Sequence, residues 1–228
     1  MCKGRIDMQL FTTSIGKKIL MAITGLCLVL FAVIHLIGNT TIFGWIPGGV
    51  NAYAHHLHAF PPMVYAFRAV MLVIAAVHIY YGIQLTVENR DCRQQAYAVK
   101  ATKKTTFASE NMIWTGLILL IFIVFHLLHF TAKMVPGMEL VMDPHGTVDV
   151  FAMIVSAFKN IIIAVVYVGA MATLFLHISH GIQSLFQTFG ITSDKSMPTI
   201  VKAGTVVALV LFLGYVSVPL SIFLNILK

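Results

Sequence analysis

The chain has 228 residues, of which 59% are hydrophobic and only 10% are charged, and its formal net charge is +7. Soluble globular domains carry roughly 25% charged residues, so this composition excludes an ordinary soluble protein, in agreement with a mean hydropathy of +0.91. Five apolar segments each have about the 20 residues that a helix needs to cross a bilayer. They are residues 15–37, 63–87, 111–131, 158–186 and 201–227. We therefore predict an all-α integral membrane protein with a single transmembrane domain over residues 1–228, built from these five spans.

Basic residues lie mostly on one side of the predicted spans. Eleven of the fifteen Lys and Arg residues lie before or in the first turn of span one, between spans two and three, or between span four and the first turn of span five, whereas residues 39–62 contain no charge. The positive-inside rule places the basic side in the cytoplasm, so the N-terminus is expected inside and the C-terminus outside. Because these charges flank spans, they do not indicate nucleic-acid binding. Span one is too long for a signal peptide and lacks a small-residue cleavage site, so we expect it to be retained.

The cysteine pattern excludes two kinds of redox centre. Cys2, Cys27 and Cys92 form neither Cys-x-x-Cys nor Cys-x-x-Cys-His. Covalent attachment of c-type haem uses the second motif, and iron–sulfur clusters are held by several cysteine thiolates. We therefore expect neither group to be bound by this chain.

Spans one and three share a sequence pattern. Residues 24–36, TGLCLVLFAVIHL, align without a gap with residues 115–127, TGLILLIFIVFHL. The histidines that coincide in this alignment are His35 and His126.

Spans two and four share a second pattern. Residues 78–84, HIYYGIQ, align with residues 177–183, HISHGIQ, and match His78 with His177. Two spans separate each pair of matched helices, so both halves have the same orientation and are related by an axis along the membrane normal. This duplication predicts that matched residues face each other across the axis at equal depth.

The matched histidines fall at two depths. Spans one and three run outward and place His35 and His126 about 22–27 Å from the cytoplasmic edge, at a rise of about 1.5 Å per residue. Spans two and four run inward and place His78 and His177 about 20–26 Å from the outer edge by the same arithmetic. The sequence thus predicts an outer pair, His35 with His126, and an inner pair, His78 with His177.

Facing imidazoles within a bilayer indicate a bound group. Polar side chains are expensive there and usually mark function, and two imidazoles on opposing helices can bind the iron of a haem b from both faces. Gly82 and Gly181 follow the inner histidines by four residues, and Gly38 follows His35 by three. These glycines are expected to leave room for a porphyrin on the same helix face.

Other roles for buried histidines stay open at this point. A lone buried histidine can simply hydrogen-bond to a neighbouring helix. A zinc site usually takes four ligands, and a proton relay would favour acidic residues, which the spans almost lack. His129 and His180 each follow a paired histidine by three residues and have no histidine partner in the repeat. We interpret both as supporting groups that hydrogen-bond to a propionate, a carbonyl or water; quinone or proton chemistry, or ligation in place of a paired histidine, are alternatives.

With one paired histidine on each of four helices, the chain resembles the di-haem cytochrome b membrane-anchor subunit of succinate dehydrogenases and fumarate reductases. The strings TGLILLIFIVFH and HISHGIQSLFQTFGIT carry the resemblance most strongly, and it extends from Ser14 to the end of the chain. It implies that spans one to four form a bundle that holds two haem b groups. The outer haem would be bound by His35 and His126, and the inner haem by His78 and His177.

The resemblance also implies partners and a location. The subunit would anchor a flavoprotein subunit, which carries FAD, and an iron–sulfur subunit, which carries iron–sulfur clusters, to the cytoplasmic face. Residues 88–110 would form much of the docking surface. The chain would exchange electrons with a quinone, usually menaquinone, while the partner subunits perform the dicarboxylate chemistry. The expected location is the inner (cytoplasmic) membrane of a prokaryote.

The sequence departs from the family pattern in two places. Relatives often carry a glutamate in the first outer connection, where Asn51 stands here, and some carry one before the span-four histidine, where Phe175 stands. A transmembrane proton path through the second position is therefore unsupported. Histidine titrates near physiological pH and can take up protons from a quinol, although an outer histidine cluster can equally form loop hydrogen bonds. The candidate quinone-site residues are Asn51, His55, His56 and His58.

Arg68 lies within the outer part of span two. Its guanidinium can pair with a haem propionate or extend to the outer interface. Two alternative functions also remain: the cytochrome b anchor of another oxidoreductase, such as a hydrogenase or formate dehydrogenase, and a haem-free transporter lined by histidines. Identification of co-purifying subunits would test the first alternative, and visible absorption would test the second.

Overall fold

The computed structural model describes residues 11–92, 107–143 and 146–228. A 3₁₀ turn, Thr41–Phe43, follows the first long helix, and a π-helical segment, Leu127–Thr131, follows the helix that ends at His126. In chain order, the α-helices are α1 Ser14–Thr40, α2 Gly49–His58, α3 Pro61–Asp91, α4 Phe107–Glu110, α5 Met112–His126, α6 Val150–Lys159, α7 Ile161–Thr188 and α8 Met197–Phe223.

Five helical stretches are long and apolar enough to cross a membrane. They are Ser14–Phe43, Pro61–Asp91, Met112–Thr131, Ile161–Thr188 and Met197–Phe223. The described residues contain no β-strand. The predicted all-α membrane fold with five spans is therefore confirmed.

The fourth span begins at Ile161, three residues later than the sequence predicts, because Asn160 interrupts the apolar stretch. The backbone of Asn160 is extended, and its side-chain oxygen accepts a hydrogen bond of 3.0 Å from the N–H of Ile162. That is the geometry of a helix N-cap. A separate short helix, α6, precedes it and is capped in the same way by Asp149, which accepts from the N–H of Ala152 at 2.9 Å.

Span five packs closely on α7 and α1. The most extensive helix–helix contact in the described residues joins α7 and α8. A Cβ atom added at Gly204 would meet Ile182 of α7 at 3.2 Å, and small residues allow membrane helices to approach this closely. On the other side, the Tyr215 hydroxyl donates a 2.7 Å hydrogen bond to the Ala32 carbonyl of α1. Span five therefore buttresses helices from both halves of the repeat.

An ion pair ties α1 to α3 at the end of the bundle that is predicted to face the cytoplasm, called the inner end. The Lys17 ammonium pairs with the Glu88 carboxylate, and the side chain of Lys17 is 7% exposed while that of Glu88 is 37% exposed. The Gln84 amide also donates to Glu88 at 2.9 Å. Lys17 is thus a buried connection between the first two spans. Most of the predicted docking surface, from residue 93 to residue 106, lies outside the described residues.

Two short helices, α2 and α6, cover the outer end, and Asn51 joins them. The Asn51 amide donates to the Asp149 carboxylate at 2.9 Å, and its side-chain carbonyl accepts from the N–H of Phe151 at 2.9 Å. Buried apolar residues of the two short helices, including Val50 of α2 and Ile154 of α6, form one cluster with residues of α7 and α8. The end of the bundle that contains His35 and His126 is therefore covered by α2 and α6.

Candidate functional site

The outer histidine pair meets between α1 and α5. The ring centroids of His35 and His126 lie 6.0 Å apart, and the ring planes are inclined by 82°. Each imidazole packs on a phenylalanine one turn earlier in its own helix, Phe31 at 5.3 Å from His35 and Phe122 at 5.9 Å from His126. Both imidazoles are partly buried. The structure therefore brings together the two outer histidines that the repeat matches.

The inner pair meets between α3 and α7. The ring centroids of His78 and His177 lie 6.4 Å apart, and their planes are inclined by 71°. Both imidazoles are partly buried. The structure thus places all four matched histidines in the two pairs that the depth arithmetic predicts.

The preceding span fixes the orientation of His78. The Nδ1 atom of His78 lies 3.1 Å from the carbonyl oxygen of Met21 and 3.3 Å from the hydroxyl oxygen of Thr24. The Thr24 hydroxyl donates its own proton within α1, at 2.7 Å to the carbonyl of Leu20. Both groups that face Nδ1 are therefore acceptors. The Nδ1–H of His78 donates to them, and Nε2 is left free to bind a metal.

The same contact recurs at His177. Its Nδ1 lies 3.1 Å from the hydroxyl oxygen of Thr115, and that hydroxyl donates to the Met112 carbonyl at 3.0 Å. The glycine after each threonine also faces the ring. A Cβ added at Gly25 would lie 3.0 Å from Cε1 of His78, and one added at Gly116 would lie 3.4 Å from Cε1 of His177.

The sequence pattern contains the Thr-Gly dipeptides but does not predict their contacts with the inner histidines. The Thr-Gly dipeptide opens both aligned stretches, but the alignment alone does not show that it touches the inner histidines. The matched contacts extend further. Met21 and Met112 precede the two threonines by three residues, and the positions of a Cβ added at Gly82 and Gly181 lie 4.0 and 3.8 Å from these methionine side chains.

His129 is buried beside the outer pair. It lies in the π-helical segment and is 1% exposed. The Tyr167 hydroxyl of α7 lies 2.9 Å from Nδ1 of His129 and 3.3 Å from Nδ1 of His126. A phenol carries one proton, so at least one of the two imidazoles donates to Tyr167. π-Helical turns often occur at functional sites. Tyr167 was not singled out from the sequence.

His180 has an unpaired nitrogen next to the inner pair. It follows His177 by three residues on α7, and its Nδ1 is buried without a hydrogen-bond partner in the described residues. An unpaired buried polar atom costs about 1–3 kcal/mol. A polar group of a bound molecule would relieve that cost. This geometry fits the supporting role predicted for His180, which remains a prediction.

The predicted quinone-site residues lie on α2 in two different environments. The three histidines occupy its last turn and are exposed. The Nδ1–H of His58 donates to the Ala54 carbonyl at 2.9 Å, and the rings of His55 and His56 lie 6.4 Å apart. Asn51 uses both ends of its amide to hold α2 to α6. The histidines are therefore accessible, whereas Asn51 is structurally engaged, and the quinone role of all four remains a prediction.

Arg68 and Gly38 differ in what surrounds them. Arg68 is exposed, and its guanidinium lies 5.9 Å from the centroid of the Tyr65 ring. Pairing with a propionate remains a prediction for it. Gly38 is buried, and a Cβ added there would lie 2.6 Å from the hydroxyl oxygen of Tyr53. Gly38 therefore leaves room for the Tyr53 ring of α2, where the sequence analysis expected room for a porphyrin.

Each histidine pair suits a metal held between two imidazoles. A metal–nitrogen bond to histidine measures about 2.0 Å, so two imidazoles on opposite sides of one metal have ring centres about 6 Å apart. The observed separations are 6.0 and 6.4 Å. No group of three or more His, Cys, Asp or Glu side chains able to hold a metal occurs within the described ranges. Two imidazoles per pair would suit an iron whose remaining ligands come from a porphyrin, whereas a zinc site usually takes four ligands.

A family model matches more than half of the chain. Residues 87–214 match the succinate dehydrogenase/fumarate reductase transmembrane subunit. The chain belongs to this family. No match is found among curated proteins or solved structures. The matched region contains one histidine of each pair, His126 and His177.

Family membership and the five spans make this chain a multi-pass membrane subunit of a succinate dehydrogenase/fumarate reductase complex. Such a subunit associates with the membrane and with the catalytic subunits of its complex. The family match therefore favours this assignment over the anchor of a hydrogenase or formate dehydrogenase. It also disfavours the transporter alternative.

Proposed function

We propose that this subunit is a di-haem cytochrome b that transfers electrons between an iron–sulfur subunit and menaquinone. The proposed cofactors are two haem b groups, the outer one bound by His35 and His126 and the inner one by His78 and His177. The observation that carries the proposal is the meeting of two repeat-related histidine pairs, at 6.0 and 6.4 Å, in a member of this family.

Haem b, when bound, supplies an iron that accepts and releases single electrons. The chain's own residues supply the orientation and the apolar surroundings. Phe31 and Phe122 flank the outer imidazoles, and Thr24 and Thr115 orient the inner imidazoles through Nδ1. Apolar helices surround both levels and exclude water, which limits the reorganisation that a change of charge requires.

The partners are proposed to dock at the inner end. They are a flavoprotein subunit with FAD, which performs the dicarboxylate chemistry, and an iron–sulfur subunit that delivers or accepts electrons at the inner pair. The concentration of basic residues on this side supports a cytoplasmic location for it. The membrane is then the inner (cytoplasmic) membrane of a prokaryote.

The quinone is proposed to react at the outer end. The exposed histidines of α2 are placed there, in the helix that roofs the outer pair. An imidazole exposed at the membrane surface can accept a proton released by a quinol. Replacing His55, His56 and His58 together by Gln is therefore expected to lower quinone-linked turnover while leaving the haem content unchanged.

The first test is a dithionite-reduced minus oxidised visible spectrum of the purified subunit, with haem quantified per chain. We expect two haem b groups per chain. His35→Ala and His126→Ala should each lose the same haem, and His78→Ala and His177→Ala should each lose the other. Two redox steps in the wild-type protein would then become one in each variant.

His58→Ala is the matched control, because His58 is exposed on α2 and bonds to its own helix. It should retain both haems. A wild-type protein that binds no haem would refute the proposal, and so would variants in which His35 and His78 control the same haem.

A further inference from the structure

We infer that the Thr-Gly dipeptides at residues 24–25 and 115–116 are positioning elements for the inner pair, and we term them the Thr-Gly seats. Each seat fixes the rotation of one inner imidazole and makes its Nε2 atom a stronger electron donor to a bound iron. The inference rests on the proposed haem-binding function, which it deepens. His78 occupies the first seat, and His177 occupies the second.

While they donate their own proton within their helix, the threonine hydroxyls accept from the imidazoles. Thr24 donates to the Leu20 carbonyl at 2.7 Å, and Thr115 donates to the Met112 carbonyl at 3.0 Å. A hydroxyl has one proton, so the lone pairs of each threonine face Nδ1 of a histidine. In this arrangement Nδ1 carries the imidazole proton and Nε2 is left to ligate. At His78 the Met21 carbonyl, which can only accept, requires the same assignment. A hydrogen bond of this kind orients a ligating histidine and raises its basicity.

The glycines allow each ring to lie against the backbone of the neighbouring helix. The position of a Cβ at Gly25 is 3.0 Å from Cε1 of His78, which is closer than side chains normally approach. At Gly116 the corresponding distance to His177 is 3.4 Å. A larger residue would therefore displace the first ring more strongly than the second. Threonine provides the hydrogen bond, and glycine provides the space.

The outer pair is held differently, which makes the seats specific to the inner level. His126 faces the Tyr167 hydroxyl at 3.3 Å, and His35 stacks on Phe31 with an interplanar angle of 15°. The Thr-Gly seat occurs in both halves at matched positions, and in both it contacts the inner histidine of the same half. Two copies of one contact, each formed by different helices, support a common role.

The two seats are unequal in a way that an experiment can detect. His78 retains a second acceptor, the Met21 carbonyl at 3.1 Å, if the Thr24 hydroxyl is removed. For His177, Thr115 is the Nδ1 acceptor found in the described residues. Weaker donation from an imidazole destabilises the ferric state relative to the ferrous state. Thr115→Val should therefore shift the midpoint potential of the inner haem to more positive values, and Thr24→Val should shift it less.

The test compares Thr115→Val, Thr24→Val and Thr115→Ser with Thr173→Val as the matched control. Thr173 is partly buried on the same helix as His177, and its hydroxyl donates a solvent-exposed hydrogen bond to the Gly169 carbonyl at 3.0 Å. Haem content, redox titration at one fixed pH and the electron paramagnetic resonance spectrum of the ferric protein are measured for each. The haem that is lost in His78→Ala defines the inner haem.

We expect a positive shift of the inner potential alone in Thr115→Val, a smaller one in Thr24→Val, and wild-type values in Thr115→Ser and Thr173→Val. The low-spin signal of the inner haem should change in Thr115→Val, because the ring is free to rotate from its inclination of 71°. Loss of the inner haem from Thr115→Val also supports the inference if Thr115→Ser retains it.

Other outcomes would overturn the inference. Thr115→Val could keep both haems with unchanged potentials and spectra, Thr115→Ser could behave like Thr115→Val, or Thr173→Val could produce the same shift. In these cases the wild-type protein still binds two haems, so the proposed function stands while the inference about the Thr-Gly seats is refuted. If the wild-type protein bound no haem, both the proposed function and the inference about the Thr-Gly seats would be refuted.

Discussion

The Tyr167 hydroxyl connects two histidines that are three residues apart in sequence but differ in their surroundings. His126 faces the opposite half of the bundle, whereas His129 is buried among aromatic rings, with Phe130 at 4.3 Å between centroids. The hydroxyl lies within hydrogen-bond distance of both Nδ1 atoms. The hydroxyl can therefore orient the His126 imidazole of the outer pair from α7. It lies at the level of the bundle where the quinone is proposed to react.

Replacing Tyr167 by Phe is expected to destabilise the subunit by about 1–3 kcal/mol, since it leaves the buried Nδ1 of His129 without this partner. It should also shift the midpoint potential of the outer haem and leave that of the inner haem unchanged. Redox titration and thermal unfolding of the detergent-solubilised protein provide the two measurements.

Tyr215→Phe is the control for this variant. The Tyr215 ring lies 6.1 Å from that of His35, but its hydroxyl bonds to the Ala32 carbonyl. Removing the Tyr215 hydroxyl should lower the free energy of unfolding by about 1 kcal/mol. It should leave the midpoint potentials of both haems near their wild-type values. Equal shifts of the outer potential in the two variants would show that the histidine contacts of Tyr167 have no special effect.

At this scale the sequence predicts which histidines pair but not what holds them. The repeat and the helical rise suffice for the pairs, because both depend only on counting residues along straight helices. The contact between Thr24 and His78 depends on how α1 and α3 are rotated about their axes, and apolar spans carry little information on rotation. Tyr167 was missed for the same reason, since it reaches His129 from another helix.

The helix elements show a comparable division between what hydropathy predicts and what it misses. All five spans were predicted, because each requires only a long apolar stretch. The short helix α6 was not, because residues 150–186 are largely apolar and only Lys159 and Asn160 mark the break between α6 and α7. The hydrogen bond that the Asn160 side chain accepts from the N–H of Ile162, rather than hydropathy, determines where span four begins.

The ion pair between α1 and α3 should be unequal in its response to mutation. Glu88→Gln leaves the buried Lys17 ammonium without its carboxylate and is expected to cost about 3 kcal/mol. Lys17→Met leaves a carboxylate that is 37% exposed and should cost about 1 kcal/mol or less. Thermal unfolding midpoints measure the difference, with Glu139→Gln, an exposed acid near α6, as the control. Equal losses in the two variants would show that Lys17 is hydrated rather than buried.

Gly38 offers a test of how α1 meets α2. An added methyl group would overlap the Tyr53 ring, so Gly38→Ala should lower stability by about 1–3 kcal/mol through overpacking. The double variant Gly38→Ala with Tyr53→Ala should lose less than the sum of the two single changes.

Gly169→Ala is the control, because nothing lies within 4 Å of a Cβ at that position. It should be neutral, or stabilising by up to about 1 kcal/mol from helix propensity. The haem content of Gly38→Ala should equal that of the wild type. A selective loss of the outer haem would instead support the original expectation that Gly38 makes room for a porphyrin.

The whole molecule has a predicted sidedness that its cysteines can report. Cys92 is exposed at the inner end of span two, and Cys27 is partly buried within span one. In a Cys2→Ser background, a membrane-impermeant maleimide should label Cys92 in inside-out vesicles and not in right-side-out vesicles. Labelling from the outside only would invert the topology and place the basic face outside.

Access to Cys92 also bears on the partners. If the catalytic subunits dock at the inner end, their presence should slow the labelling of Cys92 in inside-out vesicles several-fold. The matched control is a protein with Cys92→Ser, Cys2→Ser and Lys228→Cys, because Lys228 is exposed beyond the predicted outer end of α8. Its labelling from the outside should not depend on the partners.

Each Thr-Gly seat joins two consecutive spans, whereas both histidine pairs join one half of the chain to the other. A ribosome that feeds the chain into the membrane therefore completes the seat of His78 before α5 has been made. The outer pair becomes complete when α5 delivers His126, and the inner pair only when α7 delivers His177. Synthesis from the N-terminus thus imposes an order on maturation: the first seat, then the outer pair, then the inner pair.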